Sequence, residues 1–465
     1  MAVQEDLSEW KVAPTKKMIS YAFGYIIINY ILSYGLANLF YYYEVEIGLP
    51  VFLVGMAFIL FAIWNMVNDP LLGFLTEKRT RMTRKWGFRV PWVVFTSIPV
   101  LIFYVLVWMP IVGAGSMVIF LWFIIMTCVF DTFFSIYNDH VYGGFTNQFP
   151  SEYERRKAFA ITTLLLGICI TFMNVLGNVL IVYGNPASFI TFAVVIVMVL
   201  AIFNIILFAG IRESKEMKEM FIRGFEKTEQ IGFIETVKKS IGTKNFTVSL
   251  IAYTISITAN TLWNASLIYM YKDVYRVPYA YGMIPAIIGI IAFIAVVPFW
   301  YNYSRKHGFK KTYWICFLFH GISFIPFLFT TNIIIHTFFF IIFEIAYSGE
   351  VCMLMPVASD TYDEVSCKIG RRTDATLVGI RNFFFRLAFL ITALTLTVVH
   401  MLTFYNPDPF AFQSPLAVWG IRIHTALIPA IMYVIMGLIF RKYYTLEGKE
   451  KEALVKRLKD IGIYH

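Results

Sequence analysis

The sequence predicts an all-α membrane protein with twelve transmembrane helices in two six-helix bundles. Two properties of the chain indicate this fold class. Of its 465 residues, 59% are hydrophobic and 15% are charged, with a mean hydropathy of +0.69, and a soluble protein of this length could not bury so much apolar surface. The apolar residues also fall into twelve stretches, each long enough to cross a bilayer as a helix.

The twelve predicted spans are separated mostly by short loops. The first is too long for a cleaved signal peptide and lacks a small-residue cleavage site, so we expect it to remain as a span. The spans cover residues 18–43, 51–76, 92–112, 116–143, 159–183, 187–211, 247–271, 281–301, 313–330, 333–357, 375–403 and 417–441.

Positive charges in the loops predict the orientation of the spans. If the N-terminus is cytoplasmic, far more Lys and Arg residues fall in the inner loops than in the outer loops. We therefore expect a multi-pass protein of the plasma membrane with both termini in the cytoplasm. The net charge of +10 fits attraction to the anionic inner leaflet. The sequence has no patch of interleaved basic and aromatic residues, so it does not indicate a nucleic-acid partner.

A polar segment at 212–245 divides the spans six and six, and its composition predicts surface helices on the cytoplasmic side. The sequence RKWGFR at 84–89 follows span two, and RKHGFK at 305–310 follows span eight, which is the same position in each half. We interpret this echo as a duplication, typical of the major facilitator fold with its substrate site between the halves. The predicted domains are bundles at 1–211 and 246–445, a linker at 212–245 and a solvated cytoplasmic tail at 446–465.

Sequence patterns of enzymes are missing from the chain. It contains no GxxxxGK[ST], HExxH or GxSxG pattern, and its five cysteines show neither disulfide nor metal spacing. We therefore predict a secondary transporter that is not an enzyme and holds no cofactor. A membrane-embedded enzyme or sensor that reuses the fold is the least favoured class.

Ionisable side chains inside spans are functional candidates because each costs about 2.5–3.5 kcal/mol on insertion scales. Asp69 in span two is the strongest of them. Asn65 lies four residues earlier on the same helix face, Asn68 lies beside Asp69, and Pro70 removes a backbone N–H. One carboxylate and two amides form a candidate cation-binding site for sodium or a proton. A polar cluster that only packs helices together is the alternative.

Arg386 in span eleven is the second candidate, because it lies about a dozen residues, or roughly 18 Å, into its span. At that depth it requires an acidic partner or an anionic ligand, and Asp139 in span four is the nearest candidate by topology. Arg381 lies closer to the inner surface and could pair with Asp374 or with the acidic cluster at 360–364. Other ionisable residues of the spans, which could simply pair with each other, are Asp131, Glu344, Glu350, His320, His336 and His400.

Several of these stretches resemble one known family. WNMVNDPLLG (64–73), followed by RKWGFRVPW (84–92), is similar to the signature of the glycoside–pentoside–hexuronide:cation symporters, the melibiose-permease family of the major facilitator superfamily. SYAFGY…FYYYEVEIGL (20–49) and SDTYDE (359–364) also look like that family. The resemblance covers essentially the whole chain. It implies twelve helices, alternating access, and sugar uptake driven by sodium or protons.

The resemblance carries over to individual residues with several departures. The family's cation site reads D-x-x-N-D-P, and here its first aspartate is replaced by Asn65 while Asp69 is retained. Its sugar-binding aspartate of span one falls on Asn29, and the span-four partner falls on Asp139. Its span-eleven lysine falls on Arg386, and its span-five arginine has no counterpart in the region 160–167.

These departures leave two hypotheses for transport. The first is symport of a sugar or glycoside with a proton or sodium, in which Asp69 alone could carry the proton. The second is transport of an anionic or amphiphilic substrate, such as a uronide, a sulfonated sugar or a lysophospholipid, without a requirement for sodium. It follows from the missing acids, which leave the charges of Arg386 and Arg381 less neutralised. Animal lysophospholipid symporters belong to the same broader group. In both cases we expect a monomer in the lipid bilayer that binds a small-molecule substrate.

Overall fold

The computed structural model describes residues 13–76, 83–149, 152–215, 218, 233–369 and 374–460, and all regular elements within these ranges are helical. This confirms the predicted all-α membrane fold. The main helices are α1 Thr15–Tyr30, α2 Val51–Thr76, α3 Val90–Val107, α4 Ser116–Gln148, α5 Glu152–Leu180, α6 Pro186–Gly210, α7 Phe233–Ile241, α8 Lys244–Tyr269, α9 Met283–His307, α10 Phe309–Phe324, α11 Ile333–Ile369, α12 Asp374–Thr403, α13 Pro415–Tyr443 and α14 Lys449–Asp460.

The first predicted span is the irregular one. In the described part of the chain, eleven helices are long and apolar enough to cross a membrane, and the stretch predicted at 18–43 is interrupted. There, α1 widens into a π turn at Ile31–Gly35, breaks, and resumes as a short helix at Leu39–Tyr41 that ends in a second π turn at Tyr42–Glu46. Among the described residues, eleven of the twelve predicted spans therefore correspond to helices long enough to cross a membrane, with a π turn at Ile423–Leu427 in the last, and the first span is broken.

Tyrosine hydroxyls satisfy the backbone around this break. Tyr104 of α3 donates to the carbonyl oxygen of Gly35, which lies in the first π turn, at 2.8 Å. In return, Tyr42 and Tyr43 donate to the carbonyl oxygens of Trp108 and Val107 at the end of α3, at 2.8 and 2.7 Å. Lipid offers no water to unpaired carbonyl oxygens. The broken first segment and the end of α3 therefore each supply hydroxyl donors to carbonyl oxygens of the other.

The two echoing inner loops share a backbone feature. Gly87 of RKWGFR and Gly308 of RKHGFK both adopt positive φ angles, +103° and +80°, which an L-residue with a Cβ rarely adopts. At Gly87 the close neighbour is the carboxylate of Glu213, which accepts from the backbone N–H groups of Phe88 and Arg89 at 2.8 Å each. The repeated motif thus positions a glycine turn in each half.

Contacts between helices place the functional region. In the first half α1 packs on α5 and α6, and α4 packs on α2 and α3; in the second half α8 packs on α12 and α13, and α11 packs on α9 and α10. The halves meet where α2 packs on α12 and where α5 packs on α9. At the α2–α12 contact, Gly55 leaves room for the side chain of Thr397. We call the end that carries residues 47–50 and 108–115 the outer end, following the predicted orientation, and the opposite one the inner end.

The polar segments lie at the inner end. Helix α7 of the predicted linker packs on α8, α11 and α12, whereas residues 216–217 and 219–232 of that segment lie outside the described residues. Helix α14 of the predicted solvated tail docks on α11 instead. Its Lys451 Nζ lies 2.6 Å from Asp360 Oδ2, and Leu454 is buried, which holds this helix to the bundle.

Candidate cation and substrate site

Three charged side chains meet in the middle of the protein where α2, α4 and α12 converge. Arg386 of α12 places its Nε 3.1 Å from Asp69 Oδ2 of α2 and its Nη1 3.9 Å from Asp131 Oδ1 of α4. The side chains of Arg386 and Asp131 are 11% and 2% exposed, whereas that of Asp69 is 27% exposed. The arginine therefore connects the second half of the chain to two carboxylates of the first half.

Neutral polar groups complete this charged cluster. Ser135 Oγ donates to Asp69 Oδ1 at 2.5 Å, and Asn68 Nδ2 donates to Asp131 Oδ2 at 3.3 Å. With both carboxylates ionised, the three charged side chains leave one formal negative charge. One bound sodium ion or one proton would balance that charge, and the buried setting favours a balanced site.

Asn65 lies on the wall of the same region without joining the ion pairs. Its Nδ2 donates to the carbonyl of Phe61 one turn earlier, at 3.1 Å. Its Oδ1 is buried and has no hydrogen-bond partner among the described residues. Because a buried polar atom without a partner is costly, this Oδ1 is a candidate ligand for a cation.

Asp131 of α4 places a second carboxylate near Asp69, where the sequence of span two has only one. The sequence reasoning counted one carboxylate at the cation site, because Asn65 occupies the place of the family's first aspartate. The structure brings a second carboxylate, that of Asp131 in α4, within reach of Arg386 beside Asp69. Asp131 and Ser135 are four residues apart and share one face of α4, a spacing that could have identified α4 as the partner of α2.

The predicted partner of Arg386 was Asp139, and here the structure differs. The ion pairs described for Arg386 are those with Asp69 and Asp131. Asp139 lies eight residues after Asp131 along α4, about 12 Å further toward the inner end, where it contacts Asn138 Nδ2 at 3.4 Å. Distance along the helix therefore selects Asp131 as the partner.

The remaining predicted substrate residues line the inner side of this cluster. Asn29 Nδ2 donates to the hydroxyl of Tyr142 at 3.1 Å, which joins α1 to α4. The guanidinium of Arg381 stacks on the ring of Tyr253 at 5.1 Å, and its charge also acts on Tyr142. Asn29 and Arg381 are half-buried and Tyr142 is exposed.

Arg381 has no carboxylate partner among the described residues. Its contacts are the Tyr253 ring and the sulfur of Met355, 3.7 Å from Nη1, and its Nε is buried without a hydrogen bond. Of the acids predicted as partners, Asp360 instead pairs with Lys451, and the side chain of Asp374 lies outside the described residues. Arg386 thus has described carboxylate partners, whereas no described ion pair includes Arg381.

A cavity of about 50 Å³ lies on the outer side of the cluster, between α1, α2, α4 and α12. It has room for a few water molecules, so a larger ligand requires the helices to separate. Asn65, Asp131 and Arg386 form its polar edge. Apart from Thr127, the rest of the wall is apolar and includes six phenylalanines, namely Phe58, Phe61, Phe123, Phe130, Phe134 and Phe389.

The fold and this site define a transporter of the major facilitator superfamily. Residues 18–447 match the sequence profile of the family described as "MFS/sugar transport protein". This match covers most of the chain, which therefore belongs to that family.

Similar proteins support this assignment. The chain is 25% identical over 451 residues to the "Uncharacterized symporter YjmB" of Bacillus subtilis, covering 95% of each chain. It is 31% identical over 154 residues to the "Sodium-dependent lysophosphatidylcholine symporter 1-B" of Danio rerio, covering 32% of this chain and 26% of that one.

Solved structures with low sequence identity support the fold of this chain and nothing more specific. The inward open xylose transporter XylE from E. coli superposes with a TM-score of 0.59 at 12% identity, covering 93% of this chain and 99% of that one. A bacterial homologue of the human lysosomal transporter Spinster superposes with a TM-score of 0.61 at 13% identity, covering 96% and 98%.

Proposed function

We propose that the protein is a cation-coupled symporter for a sugar-type substrate that carries an anionic group, such as a uronide or a sulfonated sugar. It resides in the plasma membrane as a monomer, with both termini in the cytoplasm. The bundles 1–211 and 246–445 rock against each other, with 212–245 as linker and 446–465 as tail. The observation that carries the proposal is the cluster of Asp69, Asp131 and Arg386, which joins the two halves and has a formal net charge of −1 when all three side chains are ionised.

Coupling follows from charge balance in that cluster. A sodium ion or a proton that binds at Asp69, beside Asn65, Asn68 and Asp131, competes with Arg386 for the carboxylates. The guanidinium is then free to release the first half or to face the substrate. Binding of the cation thus changes how strongly α12 is held to α2 and α4, and that contact is one on which alternating access depends.

The proposed negative charge of the substrate is inferred from Arg381. A buried or half-buried guanidinium in a span calls for a negative partner, and none is described within the protein. Arg381 faces Tyr142, which also bonds Asn29, so an anionic group at Arg381 would place a sugar ring beside hydroxyl and amide groups. Bidentate binding of a carboxylate or sulfonate by the guanidinium fork fits this geometry.

Asp69→Asn tests the coupling. We expect purified protein in proteoliposomes to accumulate labelled glucuronide under an imposed sodium or proton gradient, and the variant to lose this accumulation. Asp360→Asn is the matched control, because Asp360 pairs with Lys451 outside the cluster, and it should retain uptake. Accumulation by the wild type that ignores both gradients, or full gradient-driven uptake by Asp69→Asn, would contradict the proposal.

Arg381→Gln tests the substrate class. Loss of the charge should raise the KM for a uronide at least tenfold, since a charge-assisted bidentate contact disappears, while Arg381→Lys should recover part of the affinity. Uptake of the matching neutral glycoside, if the wild type transports it, should be unaffected. Equal uronide KM values for wild type and Arg381→Gln would remove Arg381 from the substrate site.

The phenylalanine-lined cavity favours a second candidate, an amphiphilic anion such as a lysophospholipid. An acyl chain would occupy the six-phenylalanine wall once the helices separate, with its head group at the arginines. Thermal stabilisation of the detergent-solubilised protein, measured with uronides, neutral sugars and lysolipids in the presence and absence of sodium, separates the two candidates. Stabilisation by lysolipids and not by uronides would select the second.

A further inference from the structure

A row of buried ionisable side chains crosses the contact between the halves at the outer end. Glu44, in the second π turn after α1, accepts a hydrogen bond from the Tyr269 hydroxyl of α8 at 2.6 Å. Its other carboxylate oxygen lies 2.8 Å from Nδ1 of His400 in α12. Glu44, His400 and Tyr269 are at most 2% exposed. One carboxylate of the first half is thus bound by two helices of the second.

The row continues deeper into the second half. Nε2 of His400 lies 3.3 Å from Nε2 of His424 in α13, and Nδ1 of His424 lies 2.7 Å from Ser266 Oγ of α8. His424 and Ser266 are fully buried. The connected order is Tyr269, Glu44, His400, His424, Ser266, and His400 is the only member of the row that contacts both a carboxylate and a second imidazole.

Hydrogen positions in this row fit two protonation states. If His400 is a cation, both of its N–H groups donate, one to Glu44 and one to His424, and His424 donates through Nδ1 to Ser266. If His400 is neutral, Nδ1–H still donates to Glu44 while Nε2 accepts from His424, and the Ser266 hydroxyl donates to His424 Nδ1. The two states differ by one proton, and neither breaks a hydrogen bond of the row.

Charge selects between these states while the outer end is closed. Glu44 with a neutral His400 is a buried net negative charge, whereas Glu44 with a cationic His400 is a neutral ion pair, and burial favours the neutral pair. Neighbouring charges do not replace that proton, because Asp273 is paired with Lys272 at 2.8 Å and receives the hydroxyl of Tyr405, whose ring stacks on His400.

Other groups around the row come from the short helix and π turn after α1 and from α13. In the segment after α1, Glu46 accepts from the Tyr41 hydroxyl at 3.1 Å and from the backbone N–H of Gly184 at 3.0 Å, and the ring of Phe40 makes a T-shaped contact with His400. From α13, Thr425 Oγ1 lies 3.5 Å from His424 Nδ1. None of these groups carries a positive charge, so the proton on His400 is the one that balances Glu44.

We propose that Glu44, His400 and His424 form a proton-binding site that is filled when the outer end is closed and gives up its proton when the outer end opens. The site is separate from the cluster at Asp69. It rests on the proposed function in one respect, namely that the halves part at this end during alternating access. Parting separates Glu44 from His400 and exposes both to water.

The direction and size of the pH effect follow from linkage. An imidazole in water loses its second proton near pH 6.5 (about the ordinary pKa of histidine), so above that pH each opening event releases one proton. The ratio of closed to open molecules should therefore fall as the pH rises above about 6.5. Below about pH 6.5 the opened imidazole keeps its proton and the dependence flattens.

Distances across the outer end test this site without any substrate. Spin labels at Val112→Cys of the first half and Ile334→Cys of the second, both more than 75% exposed, would be placed in full-length protein whose five cysteines are replaced. Electron–electron distance distributions in nanodiscs from pH 5 to 9 should show the long, open distance growing above pH 6.5. A wild-type distribution that is constant between pH 6.5 and 8.5 overturns the proposal.

In the double variant Glu44→Gln with His400→Gln neither group can titrate, so its closed-to-open ratio should change less than twofold per pH unit. Glu44→Gln, which removes the charge to be balanced, should flatten the dependence as well and serves if the first variant does not fold. His320→Gln is the matched control, because the buried His320–Glu350 pair at 2.7 Å lies wholly in the second half. A flattened response in this control as well would overturn the assignment.

The same samples separate this inference from the proposed function. Gradient-driven uptake by the wild type with a pH-independent distance leaves the transporter and removes the proton site. A pH-dependent distance without uptake of any tested substrate refutes the proposed function and leaves the proton site in place, because the distance measurement uses neither substrate nor sodium.

Discussion

Arg386→Gln is expected to destabilise the protein more than any surface arginine substitution, because it leaves two carboxylates in the centre of the bundle without their cation. At an effective dielectric constant of about 20, a charge pair at 3.1 Å is worth roughly 5 kcal/mol and one at 3.9 Å roughly 4 kcal/mol before desolvation is counted. Measured losses on removing one partner of a buried pair are about 3–5 kcal/mol, and we expect a loss in that range.

A second substitution distinguishes charge from shape. Adding Asp131→Asn to Arg386→Gln removes the more deeply buried unpaired charge, and its amide can still bond Asn68. We therefore expect the double variant to recover at least half of the loss, although the single Asp131→Asn change removes a favourable contact. Recovery of this kind is non-additive, as is usual for residues in one ion-pair network.

The assay is equilibrium unfolding of detergent-solubilised protein by SDS titration, followed by tryptophan fluorescence. Arg305→Gln is the control, since Arg305 is exposed and its described aromatic contact is with the ring of Tyr301. The free energy of unfolding of this variant should stay within about 0.5 kcal/mol of wild type. An Arg386→Gln variant as stable as this control, or a double variant no more stable than Arg386→Gln, would refute the charge argument.

Two further predictions concern packing and ion affinity. Gly55→Ala should lower the free energy of unfolding by about 1–3 kcal/mol, because the new methyl group meets Thr397 where α2 crosses α12; the same titration checks this. Gly167→Ala, with no neighbour within 4 Å, should be neutral or stabilising, and equal effects at both glycines would contradict the close approach. Asn65→Asp adds a carboxylate beside the cation site and should lower the midpoint of sodium-dependent thermal stabilisation about tenfold, measured against choline chloride. An unchanged midpoint would place Asn65 outside the site.

Hydropathy alone predicted the number and approximate limits of the spans, because lipid forces every backbone polar group to be satisfied within helices. The same physics shows why the first span was less well predicted. At its break Tyr104 donates to the carbonyl oxygen of Gly35, while Tyr42 and Tyr43 donate to carbonyl oxygens at the end of α3, and these contacts join residues about 60 or more positions apart. A hydropathy profile averages over neighbours in sequence and contains no information on such contacts.

The candidate site was predicted in part. Depth within a span singled out Asp69 and Arg386 as costly charges, but depth does not specify which face of α4 turns toward them. That is why Asp139 was favoured over Asp131. At the outer end, neither Glu44 nor His424 was predicted as a functional residue, and His400 was grouped with residues that could simply pair with each other. Residues near the ends of spans usually meet water. Here the two halves cover them, and that burial is a property of the assembled fold.

The exchange of tyrosine hydroxyls between the first segment and α3 also constrains how the chain assembles in the bilayer. The Tyr104 hydroxyl that bonds the carbonyl oxygen of Gly35 belongs to α3, which follows the first segment in the chain. The first segment on its own therefore lacks this hydrogen bond. We expect it to reach its native conformation only once α3 is in place beside it.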